Sequence, residues 1–262
     1  MNYEKILYEI SDGIATITLN RPEAYNAFND QLASELHDAI IESSENEAVR
    51  VVVLTGSGRA FCAGGDVKNF CDNIDSIGAV VKRLTTDLHG AVSRMIRMPK
   101  PVINAVNGVA AGAGMSLALA GDLILATESA TFTMAYTKIG ASPDGSSTYT
   151  LPRLVGVKRA LELTMLNSVL TAKEAVEWGI VNRVFPDDQF QAEVHNIASQ
   201  LAQGPTQAYG RAKALYYAST NESLETQMEH ETLAIVASGK TEDFREGVSA
   251  FSEKRAPTFR GR

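Results

Sequence analysis

Apolar and polar residues follow two different rhythms at the start of the chain. Residues 15–19 alternate between apolar side chains and threonine, which predicts a half-buried strand that ends at the following Asn-Arg-Pro segment. Apolar residues then recur at helical spacing up to residue 40, behind the capping-type residues Asn29 and Asp30, which predicts a helix. Residues 49–54 are rich in valine, as is typical of a strand covered on both faces.

The alternation of strand and helix continues to about residue 126. Helical spacing over 81–96 predicts a second helix, which ends before two prolines. The further elements predicted here are a strand at 102–106, a Gly/Ala-rich helix from about 111 and a strand at 123–126. Such short units favour an α/β fold, with a β-rich layer and crossover helices, over an all-α or all-β fold.

From about residue 156 the pattern becomes mostly helical. Helices are predicted at 160–166, 172–178, 190–201, 208–218, 224–237 and 244–251, with one strand-like interruption at 180–184. A helical C-terminal third of this length can cover the first part of the chain or mediate contacts in an oligomer. No low-complexity segment or linker divides the chain.

Composition and charge narrow the class of protein. The chain has 262 residues, 45% of them hydrophobic and 21% charged, which is ordinary for a globular protein and argues against disorder. Lys and Arg number 24 against 31 Asp and Glu, so the net charge is −7 and nucleic-acid binding is not the default expectation. An anionic small ligand needs only a local positive patch and stays possible.

Several segment types are not expected from the sequence. The longest apolar stretch, 108–120, is too short to span a membrane, and the N-terminus lacks the pattern of a signal peptide. The two cysteines, Cys62 and Cys71, could form at most one disulfide bond, which cannot stabilise a fold of this size. The four histidines are scattered along the chain without the spacing of metal ligands. We therefore expect a cytoplasmic protein with no metal site and no membrane association.

Two glycine-rich stretches are the first candidates for chemistry. Residues 61–66 follow a predicted buried strand, and residues 107–114 run into a predicted helix. Small residues let a ligand approach the backbone, and two such loops facing each other could hold a developing oxyanion through their N–H groups. Either loop by itself indicates no more than a tight turn. Neither matches the dinucleotide or phosphate-loop signatures.

Together with other motifs, these stretches resemble the crotonase (enoyl-CoA hydratase/isomerase) superfamily over nearly the whole chain. The matching segments are 19–22, 26–27, 54–56, 60–66, 101–108, 120–122, 152–156 and 174–181. The resemblance implies a spiral of ββα units with an acyl-CoA site at 1–200 and a helical trimerisation region at 201–262. It further implies a homotrimer or dimer of trimers, and no permanent cofactor, since coenzyme A is part of the substrate thioester.

The resemblance also assigns roles to individual residues. The N–H groups of Gly65 and Ala113 would bind the thioester oxygen, and the loop at 63–68 would run along coenzyme A. Arg21 and Lys68 are possible partners of its phosphates, although a solvated surface role fits both equally well. The substrate-binding positions implied are Arg21, Ala63, Gly64, Asp66, Val67, Lys68, Gly112 and Tyr136.

One departure from the family pattern changes the expected reaction. Hydratases of this family use two glutamates, and the matching positions here are Ser116 and Tyr136, whose hydroxyls are poor substitutes for carboxylates that activate water. Asp144 resembles the aspartate of isomerases that shift a double bond in an acyl-CoA. Read without the resemblance, its Pro-Asp-Gly context indicates a turn. The leading expectation is an isomerase with Asp144 as its acid and base.

Two other functions use the same residues differently. In chlorobenzoyl-CoA dehalogenases of the superfamily, an aspartate matching Asp144 attacks the ring, and a histidine matching His89 activates water. At the position of Tyr136 those enzymes carry a tryptophan that hydrogen-bonds the nucleophile, and a phenol could also donate there. His89 can also be read as a residue on the polar side of an amphipathic helix. The third possibility is a non-catalytic acyl-CoA-binding protein, suggested by the loss of both glutamates.

Overall fold

The computed structural model describes residues 3–262 as two β-sheets with helices around them. The strands are β1 (Ile6–Ser11), β2 (Ile14–Leu19), β3 (Val51–Gly56), β4 (Ala60–Cys62), β5 (Val102–Val106), β6 (Val109–Ala111), β7 (Leu123–Thr127), β8 (Thr131–Thr133), β9 (Leu170–Thr171) and β10 (Arg183–Phe185). The helices are α1 (Asp30–Glu45), α2 (Val67–Asp72), α3 (Ile77–Arg97), α4 (Ala113–Ala118), α5 (Ser147–Val155), α6 (Val157–Leu166), α7 (Ala172–Glu177), α8 (Phe190–Ala202), α9 (Thr206–Ala218), α10 (Leu224–Ser238) and α11 (Glu242–Glu253).

From β3 to β8, successive strands alternate between the two sheets. The larger sheet has the order β1-β2-β3-β5-β7-β10 and the smaller one β4-β6-β8-β9. In the pairs β3/β4, β5/β6 and β7/β8, the first strand joins the larger sheet and the second joins the smaller one. Within each sheet these strands run parallel, so each pair advances both sheets by one strand. The chain thus winds as a spiral, and the predicted α/β class with a helical C-terminal part is confirmed.

The central strands of the larger sheet are buried on both faces. On one face, Val51, Val53 and Ile103 pack against Phe190 and Val194 of α8. On the other face the core includes side chains of α1, α3 and the smaller sheet. Burial on both sides explains why β3 and β5 read as apolar runs without alternation.

Local signals explain where several elements begin. The Asn29 side chain accepts a hydrogen bond from the Leu32 N–H and starts α1, as the capping-type residues predicted. Thr171 and Glu174 form a capping box at the start of α7. Asp12 and Gly13, both with positive φ, join the antiparallel strands β1 and β2 in a two-residue hairpin turn.

Some predicted boundaries are wrong. The strand predicted at 180–184 is β10 at Arg183–Phe185, because the N–H groups of Ile180 and Val181 both bond to the Ala175 carbonyl in the turn after α7. The helix predicted from about residue 111 begins at Ala113, because the residues before it form β6. Within residues 3–262, no helix is long and apolar enough to cross a membrane.

Candidate active site

Three neighbouring strands of the smaller sheet deliver the predicted site residues to one edge. β4, β6 and β8 run parallel, so their carboxyl ends meet at the same edge of the sheet. Gly65 follows β4, Ala113 follows β6 and Tyr136 follows β8. The topology therefore brings together three positions that lie far apart in the sequence.

The two glycine-rich loops touch each other. A Cβ at Gly64 would lie 2.9 Å from the Ala111 carbonyl oxygen and 3.3 Å from the Ala113 nitrogen. Gly64 also has a φ of 101°, and Gly112 has a φ of 54°, so both positions suit glycine. The two loops therefore face each other, which is the arrangement that an oxyanion site built from both of them requires.

The N–H groups of Gly65 and Ala113 are free to bind a ligand. Gly65 lies in a parallel bridge with Phe28, whose hydrogen bonds use the Gly64 carbonyl and the Asp66 N–H instead of the Gly65 N–H. Ala113 is the first residue of α4, where an N–H has no partner inside the helix. Within residues 3–262 neither group donates to the protein, which is the condition for an oxyanion donor.

A buried network holds the first loop in place. The Arg21 guanidinium contacts the Asp66 carboxylate at 2.9 Å and the Ala27 carbonyl at 2.5 Å. Asn26 accepts from the Arg21 N–H and donates to the carbonyls of Ser57 and Ala60. Arg21 is thus already engaged on both terminal nitrogens, and its visible role is to anchor the loop.

Asp66 is held as a carboxylate by the same network. Burial by itself would raise its pKa, but the hydrogen bonds from Arg21 and the Asn69 N–H outweigh burial and lower the pKa of Asp66. Through the contact with Asn69, Asp66 is the N-cap of α2. The helix that follows Gly65 is thereby fixed relative to β4.

The other predicted substrate-binding residues of this loop, Ala63, Val67 and Lys68, differ in their exposure to solvent. The Ala63 N–H donates to the Tyr25 carbonyl, so Ala63 belongs to the loop's framework. Val67 and Lys68 are exposed in the first turn of α2. Lys68 forms no salt bridge with any described residue, and its charge stays available to an anionic ligand.

A chain of hydrogen bonds connects α4 to the candidate catalytic carboxylate. The Ser116 and Tyr136 hydroxyls are 2.8 Å apart, and the Tyr136 hydroxyl donates to Asp144 Oδ1 at 2.5 Å. Burial and then the charge of Asp144 raise the pKa of Tyr136, so the phenol keeps the proton that it donates. Ser116 is one helical turn beyond Ala113, so these hydrogen bonds connect Asp144 to the second glycine-rich loop.

Asp144 lies in a tight turn that packs on α4. Gly145 and Ser146 both have positive φ, 58° and 70°, and a Cβ at Gly145 would lie 2.9 Å from Ser116 Cβ. The Ser147 hydroxyl donates to the Asp144 carbonyl. The turn predicted for Pro-Asp-Gly is present, and it carries the carboxylate into the site.

His89 reaches the same turn from α3. The Gly145 N–H donates to His89 Nε2 at 3.1 Å, and the same nitrogen lies 3.8 Å from Asp144 Oδ2. The structure therefore brings His89 and Asp144 together, as the resemblance implied.

Two side chains support the site in ways that the sequence does not reveal. Ser116 was read only as a lost glutamate, whereas it binds Tyr136. The Phe70 ring would lie 2.6 Å from a Cβ at Gly65, so it packs directly against the first glycine-rich loop. Helical spacing from Ala113 could have indicated the position of Ser116, but no sequence signal indicates a ring that folds back from α2.

Comparison with known proteins identifies the family of this chain. Residues 9–262 match the family described as enoyl-CoA hydratase/isomerase. The chain is 40% identical to 1,2-epoxyphenylacetyl-CoA isomerase of Escherichia coli, over 99% of both chains. It is 38% identical to 4-chlorobenzoyl coenzyme A dehalogenase-1 of an Arthrobacter species, over 95% of this chain and 91% of that one.

Solved structures of enoyl-CoA hydratases share the fold of this chain. A crystal structure of an enoyl-CoA hydratase from Bacillus anthracis superposes with a TM-score of 0.93 at 32% identity, covering 99% of this chain and 100% of that chain. The crotonase-like fold expected from the sequence motifs is thereby confirmed. The chain belongs to the enoyl-CoA hydratase/isomerase family and is an acyl-CoA enzyme of that family.

Proposed function

We propose that this enzyme shifts a double bond in an unsaturated acyl-CoA, with Asp144 as the acid and base and with Gly65 and Ala113 as oxyanion donors. The observation that carries the proposal is the state of Asp144. Its Oδ1 is held by the Tyr136 hydroxyl, while its Oδ2 accepts no hydrogen bond within residues 3–262. One oxygen fixes the carboxylate and the other is free to exchange a proton.

The reaction then needs only this one carboxylate. Asp144 Oδ2 removes a proton from the carbon next to the double bond, and the electron pair moves through the conjugated system onto the thioester oxygen. The N–H groups of Gly65 and Ala113 stabilise the enolate that forms, because they donate to charge that develops in the transition state. The protonated carboxyl returns the proton to a different carbon, the carbonyl re-forms and the double bond has moved.

Simple hydration fits the site less well. Adding water to a conjugated double bond requires one group to activate water and one to protonate carbon. The positions that carry glutamates in hydratases hold Ser116 and Tyr136 here, and their hydroxyls bind each other at 2.8 Å. Because the Tyr136 proton is committed to Asp144, this pair does not offer a base for water.

Hydrolytic dehalogenation of an aryl-CoA is the second candidate. The observations that favour it are the 3.8 Å separation between His89 Nε2 and Asp144 Oδ2 and the Tyr136 hydroxyl, which donates to the carboxylate. In that reaction Asp144 would attack the ring carbon and expel halide. A water molecule activated by His89 would then cleave the resulting ester.

Mass spectrometry of an acyl-CoA panel separates these reactions. The panel contains 2-enoyl, 3-enoyl, ring-unsaturated and 4-halobenzoyl thioesters, each incubated with the enzyme in H₂O and in D₂O. The proposal predicts deuterium incorporation without the mass of an added water, and its loss in Asp144→Asn. Added water would support hydration, and replacement of halogen by hydroxyl would support dehalogenation. Binding without change of any thioester would contradict the proposed isomerase.

The helical region at 201–262 supports an oligomer of the kind implied by the sequence motifs, a trimer or a dimer of trimers. Helix α10 has no buried residue, yet Leu224, Leu233 and Ile235 on it are apolar and well exposed. Phe251 of α11 is 88% exposed. An apolar surface of this kind is typical of an interface. Light scattering during gel filtration tests the proposal, and a monomeric mass would contradict it.

A further inference from the structure

A hydrogen bond from a backbone N–H group fixes the orientation of the His89 ring and the protonation of its Nε2 atom. The buried Gly145 N–H points at His89 Nε2 at 3.1 Å, and this is its hydrogen bond within the described residues. A backbone N–H requires an acceptor, so Nε2 must present its lone pair. In the neutral ring the proton then resides on Nδ1, on the far side of the imidazole.

This arrangement leaves His89 without a lone pair for water. Nε2 is the nitrogen that faces Asp144, and its lone pair is already used by the Gly145 N–H. Nδ1 carries the ring proton and points the other way. A base that activates water for attack on an Asp144 ester would need the Nε2 lone pair, so the bond to Gly145 would first have to break.

We infer that His89 is a positioning residue, which fixes the Asp144 turn by accepting the Gly145 N–H, and that it is not the base of a hydrolytic reaction. The inference rests on the proposed function, because it assigns His89 a role in orienting the proposed acid and base. The hydrogen bond to His89 also helps to stabilise the Asp144 turn, in which two consecutive residues, Gly145 and Ser146, have positive φ.

The other hydrogen bonds of the Asp144 turn show what the bond between the Gly145 N–H and His89 adds to its support. The Asp144 carbonyl accepts from Ser147, and Asp144 Oδ1 accepts from Tyr136. The Gly145 N–H lies between these two attachments and binds to α3 through His89. Without an acceptor there, the carboxylate keeps its partner on Oδ1, but the backbone that carries it is released from α3.

Two substitutions at His89 separate a positioning role from a base. Glutamine places a carbonyl oxygen near the place of Nε2, so His89→Gln keeps an acceptor for Gly145 but cannot take a proton from water. His89→Leu removes the acceptor. Ser93→Leu, on the exposed side of the same helix one turn later, controls for an added leucine there. All three are assayed on the thioester that the wild-type enzyme isomerises.

The expected pattern is rescue by glutamine. His89→Gln should keep kcat within about threefold of wild type, whereas His89→Leu should lose between about tenfold and 100-fold, since small misplacements of a reacting group have effects of this size. Ser93→Leu should behave as wild type. Equal losses in the glutamine and leucine variants would show that the ring itself transfers a proton, and no loss in either would show that His89 positions nothing. Each of these results overturns the inference.

A spectroscopic measurement tests the inference without activity. The chain has four histidines, so ¹⁵N-histidine labelling gives few signals, and the His89→Gln spectrum identifies those of His89. We expect an unprotonated Nε2 that accepts a hydrogen bond and a protonated Nδ1. A protonated Nε2 in the neutral ring would overturn the inference. If Asp144→Asn stayed active, the proposed function would fail, while the tautomer of His89 would still be decided by this spectrum.

Discussion

Gly64 offers the most direct way to disturb the oxyanion loops without removing a reacting group. A Cβ at this position would lie 2.9 Å from the Ala111 carbonyl oxygen and 3.3 Å from the Ala113 nitrogen. Both atoms belong to the backbone of the opposing loop, so they cannot rotate away as a flexible side chain can. Gly64→Ala therefore forces the loops of Gly65 and Ala113 apart by a few tenths of an ångström.

The size of the effect follows from the two parts of this change. An alanine at the Gly64 φ of 101° is strained, which lowers the free energy of unfolding by about 1–3 kcal/mol. Displacing one oxyanion donor lowers kcat by about 10²–10³, because the donor must lie within hydrogen-bond distance of the developing charge. Binding of the coenzyme A portion depends on other contacts and should change little.

Gly156→Ala is the matched control. Gly156 also has a positive φ, 81°, but a Cβ there meets no atom within 4 Å. It should lower the free energy of unfolding by a similar amount, measured by urea denaturation, and leave kcat unchanged. Equal kcat for Gly64→Ala and Gly156→Ala would refute the reasoning that these two loops form the oxyanion site.

Three further experiments test other parts of the site. Tyr136→Phe removes the donor to Asp144 Oδ1 and should lower kcat by about ten- to 150-fold in steady-state assays, as expected for a hydrogen bond to a charged group; an unchanged kcat would contradict that role. Lys68→Ala should weaken acyl-CoA binding by roughly 0.5–1 kcal/mol and reduce the salt dependence of binding, both measured by calorimetry. Arg21→Met should leave the salt dependence unchanged, because the Arg21 guanidinium is already engaged with Asp66. The reverse pattern would make Arg21 the phosphate partner. The folded-state pKa of Asp66 is lowered, so its contribution to stability is present above the unfolded value of about 3.9 and is lost as pH falls through the folded pKa. Urea denaturation at neutral and at acidic pH should show this loss in wild type, and Asp66→Asn should reduce it.

The sequence predicted the regular elements well where a single physical pattern dominated. The apolar strand at 102–106 and the capped helix that begins after Asn29 have the predicted places. Strand β1 was missed although Asp12-Gly13 is a hairpin signal, since the alternation before it is weak. The strand predicted at 180–184 shifted to β10 because Ile180 and Val181 are buried by a turn, and burial produces the same apolar run as a strand.

For the candidate site, too, some residues could be predicted from the sequence and others could not. Gly65 and Ala113 could be named from motifs, and their encounter follows once β4 and β6 are neighbours. The resemblance offered roles for Tyr136 and His89, but the sequence could not decide between these roles, because they depend on which atom of the Asp144 turn each residue reaches. Contacts between residues more than fifty positions apart, such as that between His89 and Gly145, are set by the packing of α3 on the core and leave no local pattern.

The central claim is that Asp144 moves the proton, and solvent exchange measures that step by itself. Wild type and Asp144→Asn are incubated with an unsaturated acyl-CoA in D₂O, and deuterium uptake into recovered thioester is followed by mass spectrometry, with thioester affinity measured in parallel. The expected result is a loss of exchange of about 10²–10⁴ in Asp144→Asn, which is the range of general acid–base catalysis, with nearly unchanged thioester affinity. Exchange at a rate close to wild type in Asp144→Asn would contradict it.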